Sequence, residues 1–145
     1  MADDKPKLKL VTLVVQDMEA MVGFYDRLGL DIAAADPPWD ALHRSTEDTV
    51  DTGLDLDAVS FAPRWNEGWP AGKTGVVVGF DLPTRDAVDT TYADLVAATG
   101  ATGQQPPYDA FWGARYAVLT DPEGNSVGLM SPIDPDRRGA PPEIG

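Results

Sequence analysis

Leu8-Lys-Leu-Val-Thr-Leu-Val-Val15, followed at once by Gln16 and Asp17, is the stretch on which the fold turns. Its β-branched, apolar character predicts a strand, and Asp17 is a side chain able to accept from the first free N–H groups of a helix. Met18, Met21, Val22, Tyr25 and Leu28 then recur at helical spacing, and Gly29 supplies the stop. Shorter strands are expected over Leu30 to Ala34, around Ala41 to Arg44, and over Leu56 to Ala62, each set off by Pro- and Asp-rich breakers. The first part of the chain is thus a β-α-β-β-β unit.

The same order starts again after Pro63 to Lys73, whose Pro and Gly content marks a connection. Thr74 to Leu82 is a strand, Thr84 caps a helix carrying Val88, Leu95 and Val96 on one side, and Gly100 ends it. Strands are expected near Ala101 to Gln105, Ala114 to Thr120 and Ser126 to Ser131, with Asp121-Pro-Glu-Gly-Asn125 as the turn between the last two. The caps Asp17 and Thr84 lie 67 positions apart and the stops Gly29 and Gly100 lie 71 apart, the offset of an internal duplication. The fold class is α+β: paired β-α-β-β-β modules forming curved mixed sheets around a concave cleft. Residues 1–131 form one domain, with module one over about 8–62, a linker at 63–73 and module two over about 74–131. Pro132 to Gly145, with little to bury, is a flexible C-terminal tail.

Composition narrows the function. The 145 residues have room for one core, and the absence of cysteine removes disulfides, thiolate nucleophiles and zinc-cysteine sites. With 24 acidic against 11 basic residues the net charge is −13, which disfavours binding to a phosphate backbone, so no nucleic acid partner is expected. The acidity serves solubility, attraction of cationic ligands, or both. The charged start of the chain and the lack of a long apolar run predict a cytoplasmic protein with no membrane partner. There is no Gly-x-Ser-x-Gly and no phosphate-cradling glycine loop.

Two motifs carry a family resemblance. Val11-Thr-Leu-Val-Val-Gln-Asp17 with Phe24-Tyr-Asp-Arg-Leu-Gly-Leu30, and Trp112-Gly-Ala-Arg-Tyr-Ala-Val-Leu-Thr-Asp-Pro-Glu-Gly-Asn-Ser-Val-Gly-Leu129, resemble the opening and closing segments of the glyoxalase, bleomycin-resistance and extradiol dioxygenase proteins, the vicinal oxygen chelate superfamily. The likeness spans about residues 8 to 131. It implies a ligand cleft between the two modules, where many members hold a divalent metal on histidines and glutamates. The positions that match those ligands are Leu10, Val77 and Gly128, with Ser60 or Phe61 at the fourth, and the single histidine, His43, lies elsewhere. Leucine, valine and glycine side chains donate no lone pair, so neither metal nor cofactor is expected, and the resemblance points to a metal-free, bleomycin-resistance-like branch. If position 10 faces the cleft, strand alternation turns Thr12, Val14, Gly79, Ser126 and Met130 to the same side.

The candidate ligand-binding residues are Thr12, Trp39, His43, Trp65, Tyr108, Phe111, Trp112, Tyr116 and Met130. Large rings outside a helical stripe either lid a core or stack on planar ligands and cations. His43, if not merely a surface residue, is a proton acceptor or a hydrogen-bonding partner for a ligand. Arg115 meets either an anionic ligand or one of the many carboxylates. The function expected is a metal-independent binder of a small organic ligand, sequestering an antibiotic or similar natural product as a homodimer. The alternative is a metal-independent lyase or isomerase in the same cleft, with His43 or a carboxylate as the base.

Overall fold

The apolar run that opens the chain lies near the middle of the sheet. In the computed structural model, which describes residues 5–46, 52–99 and 101–142, it forms β1 (Lys7–Val15) and leads into α1 (Met18–Leu28). Asp17 caps α1 by accepting from the Ala20 N–H at 3.1 Å, and Gly29 closes it in the left-handed conformation at φ 118°. Replacing Asp17 with alanine should cost about 1 kcal/mol in chemical denaturation, the usual loss when an N-cap side chain is removed.

After α1 come α2 (Trp39–Leu42), β2 (His43–Ser45), β3 (Gly53–Ala58) and α3 (Ala62–Trp65). The second module follows as β4 (Gly75–Asp81), α4 (Arg85–Ala98), β5 (Thr102–Asp109), β6 (Arg115–Thr120) and β7 (Ser126–Met130). The class is α+β as expected, and the strands form one open, mixed seven-stranded sheet of order β2-β3-β1-β4-β7-β6-β5. Each module contributes one parallel pair, β1 with β3 and β4 with β7, and the two modules join where β1 meets β4 antiparallel. Val11 stands opposite Val78 in that junction, and the two are separated by the same 67 residues as the caps Asp17 and Thr84. A local two-fold axis therefore passes between Val11 and Val78. Thr84 caps α4 through the Ala87 N–H at 3.0 Å. Gly100, the expected stop, lies outside the described residues, and the C-cap is Thr99.

Alternation divides the sheet's two faces. On the helical side α1 packs over Val15 and Leu56, and α4 brings Val88 against Leu82, Ala117, Leu119 and Leu129. On the other side Val14, Val77 and Val118 meet Leu42, Phe61, Trp65 and Trp69 in an aromatic-rich cluster. Among the described residues no helix is long and apolar enough to cross a membrane.

Four expected boundaries move. Leu30 to Ala34 makes a single bridge, Ile32 with Thr46, in place of a full strand, because the Ile32 N–H is held by the Asp26 carboxylate at 2.9 Å. Around Ala41 to Arg44 the chain is helical as far as Leu42 and extended only from His43. The strand expected over Leu56 to Ala62 instead spans Gly53–Ala58, and the following residues turn into α3, with Pro63 in its first turn. Finally, β5 continues to Asp109 through Pro106 and Pro107, which an edge strand tolerates because one row of its N–H groups needs no ladder partner. The connection at 63–73 is packed: Trp65, Asn66 and Trp69 are buried, and Asn66 and Glu67 bond to Gln104 and Gln105 of β5. Beyond β7, where a flexible tail was expected, Pro135–Arg137 forms a 3-10 turn, Asp134 N donates to Gly113 O at 2.9 Å and Gly139 N to Phe111 O at 2.8 Å.

Candidate functional site

The aromatic-rich face of the sheet holds a cavity of about 730 Å³. Its floor comes from four adjacent strands: Leu10 and Thr12 on β1, Asp55 and Asp57 on β3, Val77 and Gly79 on β4, Gly128 and Met130 on β7. Loops and short helices supply a wall of rings. Phe61 meets Trp39 edge-on at 5.4 Å between centroids, Trp39 stacks toward Phe111 at 6.2 Å, Phe111 meets Trp112 at 5.3 Å, and Trp112 meets Tyr116 at 5.3 Å. Trp65 closes the arc against Tyr116 at 6.3 Å. The Trp112 indole N–H donates to the Met130 sulfur at 3.2 Å, tying the wall to the floor. Arg115 bonds to Asp89 at 2.9 Å and to Asp109, which also pairs with Arg85, so the β5–β6 turn that carries Phe111 and Trp112 is pinned from outside. Arg115 is thus committed to carboxylates.

Eight of the nine expected ligand-binding residues line this cavity: Thr12, Trp39, His43, Trp65, Phe111, Trp112, Tyr116 and Met130. Tyr108 does not, because its hydroxyl donates to the Trp65 carbonyl at 3.2 Å and its ring packs on the side of Tyr116. Of the other residues expected to face the cleft, Gly79 lines it, while Val14 is core and Ser126 is buried with its hydroxyl on Gln104. Asp55, Asp57 and Phe61 also line it and were not foreseen as binding residues. The signal for the two carboxylates was present in Gly53-Leu-Asp-Leu-Asp-Ala58, whose period-2 pattern turns both Asp side chains to one face.

His43 is the electrostatic centre. Its Nδ1 lies 2.5 Å from Oδ1 of Asp57, whose side chain is only 7% exposed against 38% for the imidazole. Burial opposes a charge on His43, but the hydrogen bond to Asp57 and the negative charges of Asp57 and Asp55 outweigh it and push the pKa up to about 9. At neutral pH the ring therefore carries its proton and is a donor. Burial, reinforced by Tyr108, Asp57 and Asp55, raises the Tyr116 phenol well above its ordinary range, so it too stays protonated. Two glycines lie side by side in the floor, Gly79 and Gly128, and the Tyr116 hydroxyl occupies the space over Gly128. A Cβ on Gly79 would lie 3.0 Å from Leu10 Cγ, and one on Gly128 only 2.9 Å from the Tyr116 hydroxyl oxygen.

Residues 7–129 match the family described as the Glyoxalase/Bleomycin resistance protein/Dioxygenase superfamily. The chain belongs to this superfamily. Solved relatives share its fold. The Mn(II)-bound glyoxalase from Novosphingobium aromaticivorans has a TM-score of 0.61 at 18% identity, covering 97% of this chain and 44% of that one. An extradiol ring-cleaving dioxygenase from B. fuscum has a TM-score of 0.60 at 19% identity, covering 89% and 34%. A superfamily member from Vibrio splendidus 12B01 has a TM-score of 0.56 at 14% identity, covering 88% and 100%. This chain spans less than half the length of the first two, and at these identities the likeness is one of fold. No curated protein matches the sequence.

Within the superfamily frame, the positions that hold a cation in metal-dependent members can be checked against the register. The two-fold axis relates Leu10 to Val77, and because Thr12 pairs with Asp55 as Gly79 pairs with Gly128, it relates Asp55 to Gly128. The fourth position is therefore Asp55, not Ser60 or Phe61, which lie in the turn after β3. One carboxylate with a leucine, a valine and a glycine is not a donor set for a divalent cation, and the Tyr116 ring fills the space a side chain at 128 would need. Among the described residues no three His, Asp or Glu side chains converge to hold an ion.

Proposed function

We propose that this cleft takes up a small organic molecule with an aromatic body, without a bound cation, and sequesters it in the manner of an antibiotic-binding protein. The observation that carries the reading is the wall of six rings standing over a floor whose ion-holding positions are leucine, valine, glycine and a single aspartate. Such a cavity has the size and the mostly apolar lining that organic ligands use, with a few polar groups to fix orientation. A homodimer, expected from the resemblance, belongs to the same proposal and is read by sedimentation.

Trp39, Trp65 and Trp112 all stand in the wall, so occupancy is visible in tryptophan fluorescence. Titration with a panel of planar and glycopeptide antibiotics should quench it at one ligand per chain, equally with and without chelator. Trp112→Ala should weaken binding about tenfold, since an aromatic contact beyond simple burial contributes ~1 kcal/mol and the lost area adds to it. A transition metal found at one equivalent per chain, whose removal abolishes binding, would sink the proposal.

One observation favours turnover as a second reading: the short His43–Asp57 pair sits in the same cavity. With its proton in place His43 serves as an acid. Incubating candidate metabolites with the protein in chelator separates the two readings, because an enzyme converts them and a binder returns them unchanged.

A further inference from the structure

One row of the floor changes character half-way across the sheet. From the edge inward it reads Ser45 on β2, Asp55 on β3, Thr12 on β1 and Val77 on β4, each directly opposite the next, and all four line the cavity. The neighbouring row, Leu10, Gly79 and Gly128, is apolar or bare. Thr12 is only 8% exposed, yet no hydrogen bond engages its hydroxyl among the described residues. The Trp65 N–H is the one unbonded polar side-chain atom among them that is fully enclosed, so the Thr12 oxygen opens into the cavity. Thr12 and Asp55 are register partners whose side chains do not bond each other. Neighbouring strands lie about 4.8 Å apart, a gap that one nitrogen or oxygen atom bridges with hydrogen bonds of about 2.8 Å to either side. Charge decides which atom. Asp55, Asp57 and Asp81 line the floor against Lys9 and His43, so one negative charge is in excess even with the imidazole protonated. Asp57 is matched by His43, and Lys9 acts on Asp81. Asp55 is engaged within the chain, but a carboxylate accepts at about four positions.

We infer that the ligand is an aromatic amine-bearing molecule whose ammonium group seats between Asp55 and Thr12, with its ring body over Leu10, Val77 and Gly79 beneath the aromatic wall. This rests on the cleft being an organic-molecule site and names the class of molecule. An ammonium has three N–H donors and no acceptor, so it suits a carboxylate, which only accepts, beside a hydroxyl that can accept as well. A neutral alcohol fits the same gap but leaves the excess charge unmet. A carboxylate is repelled by Asp55. The net charge of −13 acts at longer range in the same sense and draws cations toward the chain. Asp55 and Thr12 are thereby the residues that set specificity, while the rings hold the apolar body.

Four probes with one ring skeleton test it: 1-naphthylmethylamine, 1-naphthalenemethanol, 1-naphthoate and 1-methylnaphthalene, titrated by calorimetry into the full chain near pH 7. The amine should bind about tenfold more tightly than the alcohol or the hydrocarbon, the usual gain from a hydrogen bond to a charged group, and the carboxylate should bind least. Asp55→Asn should abolish the amine's advantage. Thr12→Val keeps the shape of the side chain and removes only the hydroxyl, so it should weaken the amine about fivefold, the ordinary contribution of one hydrogen bond. Methylnaphthalene gives nothing to either group, and its affinity in the two variants reports whether the cleft is intact. An alcohol or carboxylate that binds as well as the amine overturns the inference, as does a loss in either variant that is as large for methylnaphthalene as for the amine. Silence with all four also overturns it, whereas the reading as an organic-molecule site fails only if the planar antibiotics fail as well.

Discussion

Gly113→Ala should unfold the protein at markedly lower denaturant, by about 2–6 kcal/mol, and should loosen ligand binding in whatever remains folded. Gly113 sits in the β5–β6 turn at φ 98°, where an L side chain costs roughly 1–3 kcal/mol. Space is the second and separate problem. A Cβ there would lie 2.4 Å from the backbone oxygen of Asp134 and 3.2 Å from Arg138 Cγ, and a backbone atom cannot step aside as a flexible side chain can. Overpacking of that kind adds roughly 1–3 kcal/mol. The stretch after β7 would be pushed off the turn, breaking the Asp134–Gly113 and Gly139–Phe111 bonds and releasing Phe111 and Trp112, two rings of the cavity wall. Gly124→Ala is the control: φ is 92° there, yet nothing lies within 4 Å of the added carbon. It should therefore show the conformational cost alone, about 1–3 kcal/mol, with ligand binding intact. Equal losses for the two variants in urea titrations would remove the claim that residues 134–139 brace the site.

How far the sequence discloses this arrangement depends on which physical signal each segment carries. β1 and α1 are readable because unbroken β-branched residues, an Asp cap and a terminal glycine all agree. The two-fold relation is readable for the same reason, and it correctly places Leu10 and Val77 as counterparts on paired strands. Module one fails at β3, where Asp55 and Asp57 interrupt the apolar pattern. Both carboxylates line the cavity, where one binds His43, so the polar half of an intact period-2 pattern faces inward and the segment lacks the unbroken apolar run that makes β1 readable. That slip moved the strand to Leu56 to Ala62 and put Ser60 where Asp55 belongs. Tyr108 and Tyr116 illustrate the limit of composition. They face each other across β5 and β6, yet the bulges around Gln105 swing Tyr108 out to the Trp65 carbonyl, and nothing local in the sequence registers a bulge. The connection at 63–73 misleads in the opposite way, since its Pro and Gly residues hide the burial of Trp65 and Trp69, which only the tertiary packing supplies.

Asp57→Asn should drop the pKa of His43 from about 9 to its ordinary 6.5 or below. Burial, the largest influence on this imidazole, opposes the charged form, and it is overcome by the bond to Asp57 together with the charges of Asp57 and Asp55. An asparagine keeps an oxygen at hydrogen-bond distance but removes the charge nearest the ring, so burial prevails. The chain has a single histidine, and its ring protons can be followed by NMR without assignment. Stability follows with a definite sign. In the native chain the folded pKa lies above the unfolded value, so the contribution of the pair is complete below about pH 6.5 and is lost as the pH rises through about 9. In the variant that decline over pH 6.5 to 9 should flatten, and solvent at the 38% exposed imidazole makes the energetic change smaller than the full shift implies. Binding should respond in the same window. The native protein should lose affinity for any ligand that accepts from His43 as the ring gives up its proton near pH 9, while Asp57→Asn should already have lost that increment at pH 7.5. A histidine midpoint that stays above pH 8 in the variant would mean that Asp57 is not what holds the proton there, and the donor assigned to His43 would lose its support.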